Sequence, residues 1–143
     1  MDITKQSVAL IVPTYNASTY MPDFLSGLAK QSCVIDSVLV IDSSSADDTV
    51  AQAKKAGIKT HVIPQSEFDH GGTRQLATEL IKADIYIFMT QDAICADSNT
   101  FQNLLKAFDD PKVGCAYGRQ LPHKDAGLLA AHAREFNYPD QSY

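Results

Sequence analysis

The chain has 143 residues, of which 45% are hydrophobic and 20% charged, the balance of an ordinary globular protein with room for one hydrophobic core. A formal net charge of −5 speaks against broad electrostatic binding to nucleic acid, which needs a Lys/Arg surface, although a local basic patch can still hold a diphosphate. Cys33, Cys95 and Cys115 lack metal-ligand spacing and read as reduced thiols; with no run of transmembrane length and no signal-peptide pattern at Met1–Lys5, the expected location is cytoplasmic, with attachment at the inner face of the cytoplasmic membrane left open.

The first apolar run, Val8 to Val12, ends at Pro13 and suits a strand buried on both faces. Met21, Phe24, Leu25 and Leu28 follow at i, i+3, i+4, i+7, the spacing of a helix with one buried face, and Pro22 fits its first turn. A second buried strand is predicted over Ser37 to Asp42. Ser45-Ala46-Asp47-Asp48 reads as a capping box for a helix with acids in its first turn and Lys54 and Lys55 in its last, stopped at Gly57. A third strand is expected from Lys59 to Pro64, then a polar loop from Gln65 to Gly72 in which Phe68 stands out. Leu76, Ala77, Leu80 and Ile81 mark a third helix, and Asp84 to Met89 a fourth strand. Phe101, Leu104, Leu105 and Phe108 mark a fourth helix, Val113 to Tyr117 a fifth short strand, and Leu128 to Phe136 a last helix.

Strand–helix alternation of this kind predicts an α/β fold: a mostly parallel sheet with helices on both faces, joined by right-handed crossovers. Ligands of such sheets bind outside the carboxyl ends of the strands. That rule selects four places: Pro13-Thr14-Tyr15-Asn16, Asp42 to Ser45, the loop before Arg74, and Thr90-Gln91-Asp92-Ala93. Neither G-x-G-x-x-G nor G-x-x-x-x-G-K-[ST] follows the first strand, which argues against a dinucleotide fold of the usual type and against a P-loop NTPase.

Each place has a functional and a plain structural reading. Tyr15 offers a flat ring among polar neighbours, while Asn16 or Ser18 can instead cap the next helix. Asp42 can accept a hydrogen bond from a pyrimidine imide or serve as a cap. Gly71 and Gly72 permit close backbone approach at a helix start, where free N–H groups favour anions, and Arg74 presents a fork of donors to a base carbonyl or phosphate; alternatively Arg74 is a surface ion-pair residue and His70 a cap. Asp92 can ligate a divalent cation together with a diphosphate, or simply close a turn. His61, His70, His123 and His132 lack the spacing of a zinc site and are read as structural.

Taken in order, these segments resemble the nucleotide-binding half of family 2 glycosyltransferases of the GT-A, Rossmann-like type, from Val8 to the C-terminus. The matching residues are Pro13 to Asn16; Asp42 to Ser45 with Asp47-Asp48-Thr49; and Gly72 with Arg74. Thr90-Gln91-Asp92 departs from the usual Asp-x-Asp by keeping only its second acid. Thr-Gln-Asp-Ala, His70 to Arg74, Tyr117 to Pro122 and Ala133 to Pro139 resemble the rhamnosyltransferase-like subgroup.

The resemblance implies that Pro13, Thr14, Tyr15, Asn16, Asp42, Ser44, Gly72, Arg74 and Gln91 form the nucleotide site and that Asp92 holds Mg²⁺ or Mn²⁺. It further implies transfer with inversion of a sugar, L-rhamnose favoured, from a dTDP or UDP donor to a hydroxyl of a cell-surface polysaccharide or lipid-linked glycan. Residues 1–120 are expected to form the donor-binding domain and residues 121–143 the start of an incomplete acceptor-side region. The general base is then expected beyond residue 143, the chain alone is expected to be inactive in transfer, and a homodimer is open to it. A nucleotidyltransferase and a non-catalytic nucleotide-sugar-binding module are the rival readings; the first normally carries a Gly-rich basic loop where this chain has Pro13 to Asn16.

Overall fold

The computed structural model describes residues 6–123, 125–138 and 140. Four strands, β1 (Val8–Thr14), β2 (Ser37–Asp42), β3 (Lys59–Val62) and β4 (Ile85–Phe88), pair in parallel in the order β3-β2-β1-β4. Between and after them run α1 (Met21–Ala29), α2 (Thr49–Lys55), α3 (Gly72–Leu80), α4 (Thr100–Leu105) and α5 (Leu128–Asn137). Short 3-10 turns occupy Gln65–Glu67 and Lys106–Asp109.

The two-residue period of the strands sorts their side chains into two cores. Val8, Leu10, Val12, Val40, Ile85 and Ile87 pack with Met21 and Phe24 of α1, Ala53 of α2, and Phe101 and Leu105 of α4. Ala9, Ile11, Leu39 and Ile41 point the other way, onto Ala77 of α3 with Ile63 and Ile81. The near-continuous apolar character of β1 and β2 therefore reflects burial on both sheet faces.

Pro13 sits inside β1 without cost to the ladder. Ile11 O accepts the amide of Met89 from the β4 side (3.1 Å), and Thr14 O accepts Ser43 N from the β2 side (2.9 Å). By alternation the amide position of Pro13 faces the β4 side, where pairing has ended at Ile11↔Phe88, so no donor is missed. Beyond that point β1 and β4 part. Strand order also reverses here, because the chain runs outward through β2 and β3 and then returns to the other side of β1. Such a switch point is where open parallel sheets form a crevice.

Several local expectations change. Val113 to Tyr117 is not a strand; its only backbone bond of note is Val113 N to Asp110 O (3.0 Å). A strand exists through its ladder, and this segment adds none to the sheet, leaving β4 at the edge. Ser45 does not cap α2, which begins at Thr49 after Asp48 and carries no acid in its first turn. Ser45 is instead engaged by Asp42 and Asn16, and the carboxylate of Asp47 accepts the Thr49 amide (3.0 Å). Neither Asn16 nor Ser18 caps α1, whose cap position is Tyr20; Pro22 does lie in its first turn. Strands β3 and β4 are shorter than the expected Lys59 to Pro64 and Asp84 to Met89.

The last helix forms as expected but carries no buried residue: Leu128 and Leu129 are 91% and 87% exposed. Side chains tie it to the preceding segment. Arg119 Nε donates to Tyr138 O (2.9 Å), and Arg134 donates to the Gln120 side chain. These bonds join the Tyr117–Pro122 and Ala133–Pro139 segments; Pro139 itself lies outside the described residues.

Gly57 ends α2 with φ +76°, and a Cβ there would meet no atom within 4 Å. Its requirement is purely conformational. Gly57→Ala is therefore expected to destabilise the fold by about 1–2 kcal/mol, read as a lower urea midpoint with an unchanged slope.

Candidate functional site

The edge formed by the strands' carboxyl ends is organised by hydrogen bonds that converge on Asp42, the last residue of β2, whose side chain is fully buried. Its Oδ1 accepts the Thr14 hydroxyl from the end of β1 (2.7 Å) and the Ser45 hydroxyl (2.6 Å), and its Oδ2 accepts the Ser45 amide (2.8 Å). The Ser45 hydroxyl oxygen in turn accepts Asn16 N (2.8 Å), and Asn16 Oδ1 accepts Ala46 N (2.9 Å). Asn16 and Ser44 both adopt left-handed backbone, at φ 47° and 59°, a region that costs ordinary residues energy and that asparagine tolerates best. Ser44 is fixed there by donating its hydroxyl to Ile63 O (2.8 Å). The loops after β1 and β2 are thus one hydrogen-bonded unit.

Asp47 continues this unit. Its carboxylate accepts Ser18 N (3.0 Å), Thr49 N (3.0 Å) and the Thr49 hydroxyl (2.5 Å), while Thr49 Oγ1 accepts Ala17 N (2.8 Å). Desolvation pushes the Asp47 carboxyl upward, but the bonds from Thr49 and Ser18 outweigh it and hold it at about 2.

On the β4 side a side chain replaces the missing ladder. Gln91 Oε1 accepts Tyr15 N (2.8 Å), and Gln91 Nε2 donates to Tyr15 O (3.2 Å). One primary amide thereby makes the two bonds a neighbouring strand would have made and fixes Tyr15 at the crevice.

The third contributor is the start of α3. Asp69 Oδ1 accepts Gly72 N (2.5 Å), and a Cβ on Gly72 would lie 3.1 Å from that oxygen. Glycine is needed because the chain's own carboxylate approaches closely. The same carboxylate occupies the helix N-terminus that sequence pattern suggested for an external anion. Arg74 donates Nη1 to His70 O (2.6 Å), and the rings of Phe68 and His70 meet edge to face with centroids 5.0 Å apart.

These pieces enclose a cavity of about 350 Å³ lined by Pro13, Thr14, Tyr15, Ser43, Gln65, Phe68, His70, Arg74, Thr90 and Gln91. Of the residues picked from sequence, Pro13, Thr14, Tyr15, Arg74 and Gln91 are in its lining. Asn16, Asp42, Ser44 and Gly72 are not; they shape the loops that form it. Asp92 is exposed in the turn directly after Gln91. Sequence reasoning did not single out Ser43, Gln65, Phe68, Thr90 or His70, the last read as structural. The strand-end rule had selected the segments that carry them, and Phe68 stood out as a lone aromatic in a polar loop. No carboxylate lines the cavity, and the described residues contain no cluster of three or more His, Cys, Asp or Glu able to hold a metal ion.

A parallel sheet with an aromatic- and arginine-lined crevice at its switch point is an α/β architecture of the doubly wound kind. The glycosyl transferase family 2 model matches residues 9–142, and the chain belongs to that family. It is 47% identical over 137 residues to the O-antigen chain rhamnosyltransferase RfbN of Salmonella typhimurium, covering 94% of this chain and 44% of that protein. It is 45% identical over 134 residues to the O-antigen chain rhamnosyltransferase WbaN of Salmonella anatum, covering 92% and 42%. The chain thus spans less than half the length of the curated relatives it matches. Among solved structures it resembles the mannosyltransferase PcManGT of Pyrobaculum calidifontis in complex with GDP-Man and Mn²⁺, with a TM-score of 0.67 and 25% identity over 76% of this chain and 34% of that one. The fold also matches glucosyl-3-phosphoglycerate synthase of Mycobacterium tuberculosis in complex with UDP, with a TM-score of 0.65 and 17% identity over 77% and 42%. The architecture is that of GT-A glycosyltransferases.

Asp42→Ala is expected to leave the Thr14 hydroxyl and the Ser45 amide and hydroxyl without their acceptor, lowering stability by roughly 3 kcal/mol or more, as measured by urea unfolding. The depressed Asp47 carboxyl contributes stability above its ordinary titration range, near pH 4, and loses that contribution as pH falls through about 2. The stability difference between the parent and Asp47→Asn is expected to be largest near neutrality and to disappear at the acid end of a pH series of urea melts.

Proposed function

We propose that the chain binds the nucleotide-sugar donor of a rhamnosyltransferase, with dTDP-rhamnose the favoured donor and a cell-surface or lipid-linked glycan hydroxyl the acceptor. The observation that carries this reading is the cavity at the β1/β4 switch point, which brings the rings of Tyr15 and Phe68 and the guanidinium of Arg74 into one lining. The 45–47% identity to two O-antigen chain rhamnosyltransferases supports the sugar. Residues 1–120 act as the donor-binding part and residues 121–143 as the beginning of the acceptor side.

Each lining group has a matching task. Tyr15, held by Gln91, and Phe68 offer flat apolar surface to a nucleobase. Arg74 offers guanidinium donors to a phosphate or base carbonyl. Gln65, Thr90 and Thr14 add neutral polar groups of the kind that fix a ligand's orientation in such a pocket. Asp42 acts behind the wall by holding Thr14 and the Ser45 loop.

The exposed carboxylate of Asp92 suits a divalent cation shared with a diphosphate, since Mg²⁺ is commonly held by one or two carboxylates plus substrate phosphates. A bound Mg²⁺ or Mn²⁺ supplies charge neutralisation of the leaving diphosphate. Inversion requires a base that deprotonates the acceptor hydroxyl, and in this reading the cavity serves donor binding.

Calorimetry with dTDP, UDP and ADP tests the reading. The pyrimidine diphosphates are expected to bind more tightly than ADP, and equal affinities would remove the proposed base preference. Mn²⁺ is expected to strengthen dTDP binding to the parent and to have no such effect on Asp92→Ala, with melting temperature little changed. A variant that responds to Mn²⁺ as the parent does would leave Asp92 a turn residue.

A further inference from the structure

The start of α3 closes off one anion site and leaves another open. The amides of Gly72 and Thr73 both go to Asp69, the first to its side chain and the second to its carbonyl. They are therefore not free for a phosphate, and charge for a diphosphate has to come from side chains. The cavity lining holds two basic ones, His70 and Arg74, and no carboxylate. His70 bears on both. Its carbonyl accepts Arg74 Nη1 (2.6 Å) and so steadies the guanidinium. Its exposed ring meets the ring of Phe68 edge to face, with centroids 5.0 Å apart. Neither ring nitrogen is bonded to another described residue. A protonated imidazole at this place thus offers two N–H donors beside a permanent cation.

We propose that His70 is a phosphate-binding residue of this cavity: as an imidazolium beside Arg74 it donates to the diphosphate of the bound nucleotide, and as a neutral imidazole it contributes far less. This rests on the donor-binding reading above. A hydrogen bond from a charged donor to a phosphate oxygen is roughly twice as strong as a neutral one. Histidine is also the side chain whose ordinary charge change falls between about pH 5 and 8, so diphosphate affinity should carry a step in that interval. The charged and titratable groups around the ring are Glu67 and Asp69 on its own loop, Arg74 on α3, Tyr15 after β1, Asp42 behind the wall and Asp92 in the turn after β4. None of them is an imidazole, and His61, His123 and His132 are not in the lining. Part of the diphosphate charge is then met by the wall itself, without a metal ion.

Pyrophosphate and thymidine are titrated by calorimetry into the parent, His70→Gln and His70→Lys, in chelator without divalent cations, at about pH 5.5 and about pH 8. Comparing variant with parent at one pH cancels the titration of the ligand. His70→Gln is expected to bind pyrophosphate about five- to tenfold more weakly than the parent at the lower pH and within about twofold of it at the higher. His70→Lys, which keeps its charge, is expected to bind pyrophosphate more tightly than the parent at the higher pH. All three proteins are expected to bind thymidine alike. Equal pyrophosphate binding by the parent and His70→Gln at both pH values overturns the role of His70 and leaves donor binding, read by thymidine, intact. A loss of the same size at both pH values overturns the dependence on protonation. A matching loss of thymidine binding in His70→Gln shows that the ring only shapes the cavity, and also overturns the proposal. Failure of the parent to bind either probe removes the donor-site reading itself, and the inference with it.

Discussion

A carboxylate with no exposed surface holds the ligand-bearing edge of this protein together. Burying a charge is costly unless hydrogen bonds replace the water it loses. Asp42 obtains three, from Thr14 and twice from Ser45, all short and all from neutral donors. Two loops distant in sequence are thereby fastened to one another. The left-handed backbone at Asn16 and Ser44 is sustained by the same network, since both residues make side-chain bonds that reward the conformation. Other bonds, from Ser43 N to Thr14 O, Ser44 to Ile63 O and Ser18 N to Asp47, tie the same two paths.

The crevice arises from a second constraint, the reversal of strand order at β1. Pairing between β1 and β4 stops at Ile11↔Phe88, and Pro13 ensures that it cannot resume through its own amide. The amide of Gln91 then spans the opening by binding Tyr15 at both its N–H and its carbonyl. This gives Gln91 a mechanical reason to stand in the middle of the Thr90-Gln91-Asp92 turn. Thr90 turns up in the cavity lining, and Asp92 is the one carboxylate of the Thr90-Gln91-Asp92 turn, exposed directly after Gln91.

The start of α3 shows how local sequence can mislead about what a feature is for. Two glycines before a helix suggest a cradle for phosphate, yet the close approach they allow is made by the chain's own Asp69. What α3 delivers to the cavity is Arg74, steadied by the His70 carbonyl. The same distinction applies on the other side of the site, where Asp42 has the chemistry of a base-reading residue but lies behind the wall, while the less conspicuous Ser43 is in it.

The sequence by itself determined the order and kind of most elements: β1, β2, α1, α3 and α4 are visible in apolar runs and spacing, because periodicity is a property of neighbouring residues. Its motif order also carried the family resemblance, and with it the parallel sheet. Tertiary structure decided the rest. The run Val113 to Tyr117 has the composition of a strand but gains no ladder, and no local pattern reports whether a sheet edge will accept one. Pro13, Thr14, Tyr15, Arg74 and Gln91, singled out in the sequence, line the cavity, whereas Ser43 and Thr90 in the selected segments were not singled out, because membership in a cavity depends on where separate strand ends converge. Whether Asp42 faces a ligand or a neighbour depends on the donors that Thr14, at the distant end of β1, and Ser45 bring to it, and that is settled only when the chain has closed around the carboxylate.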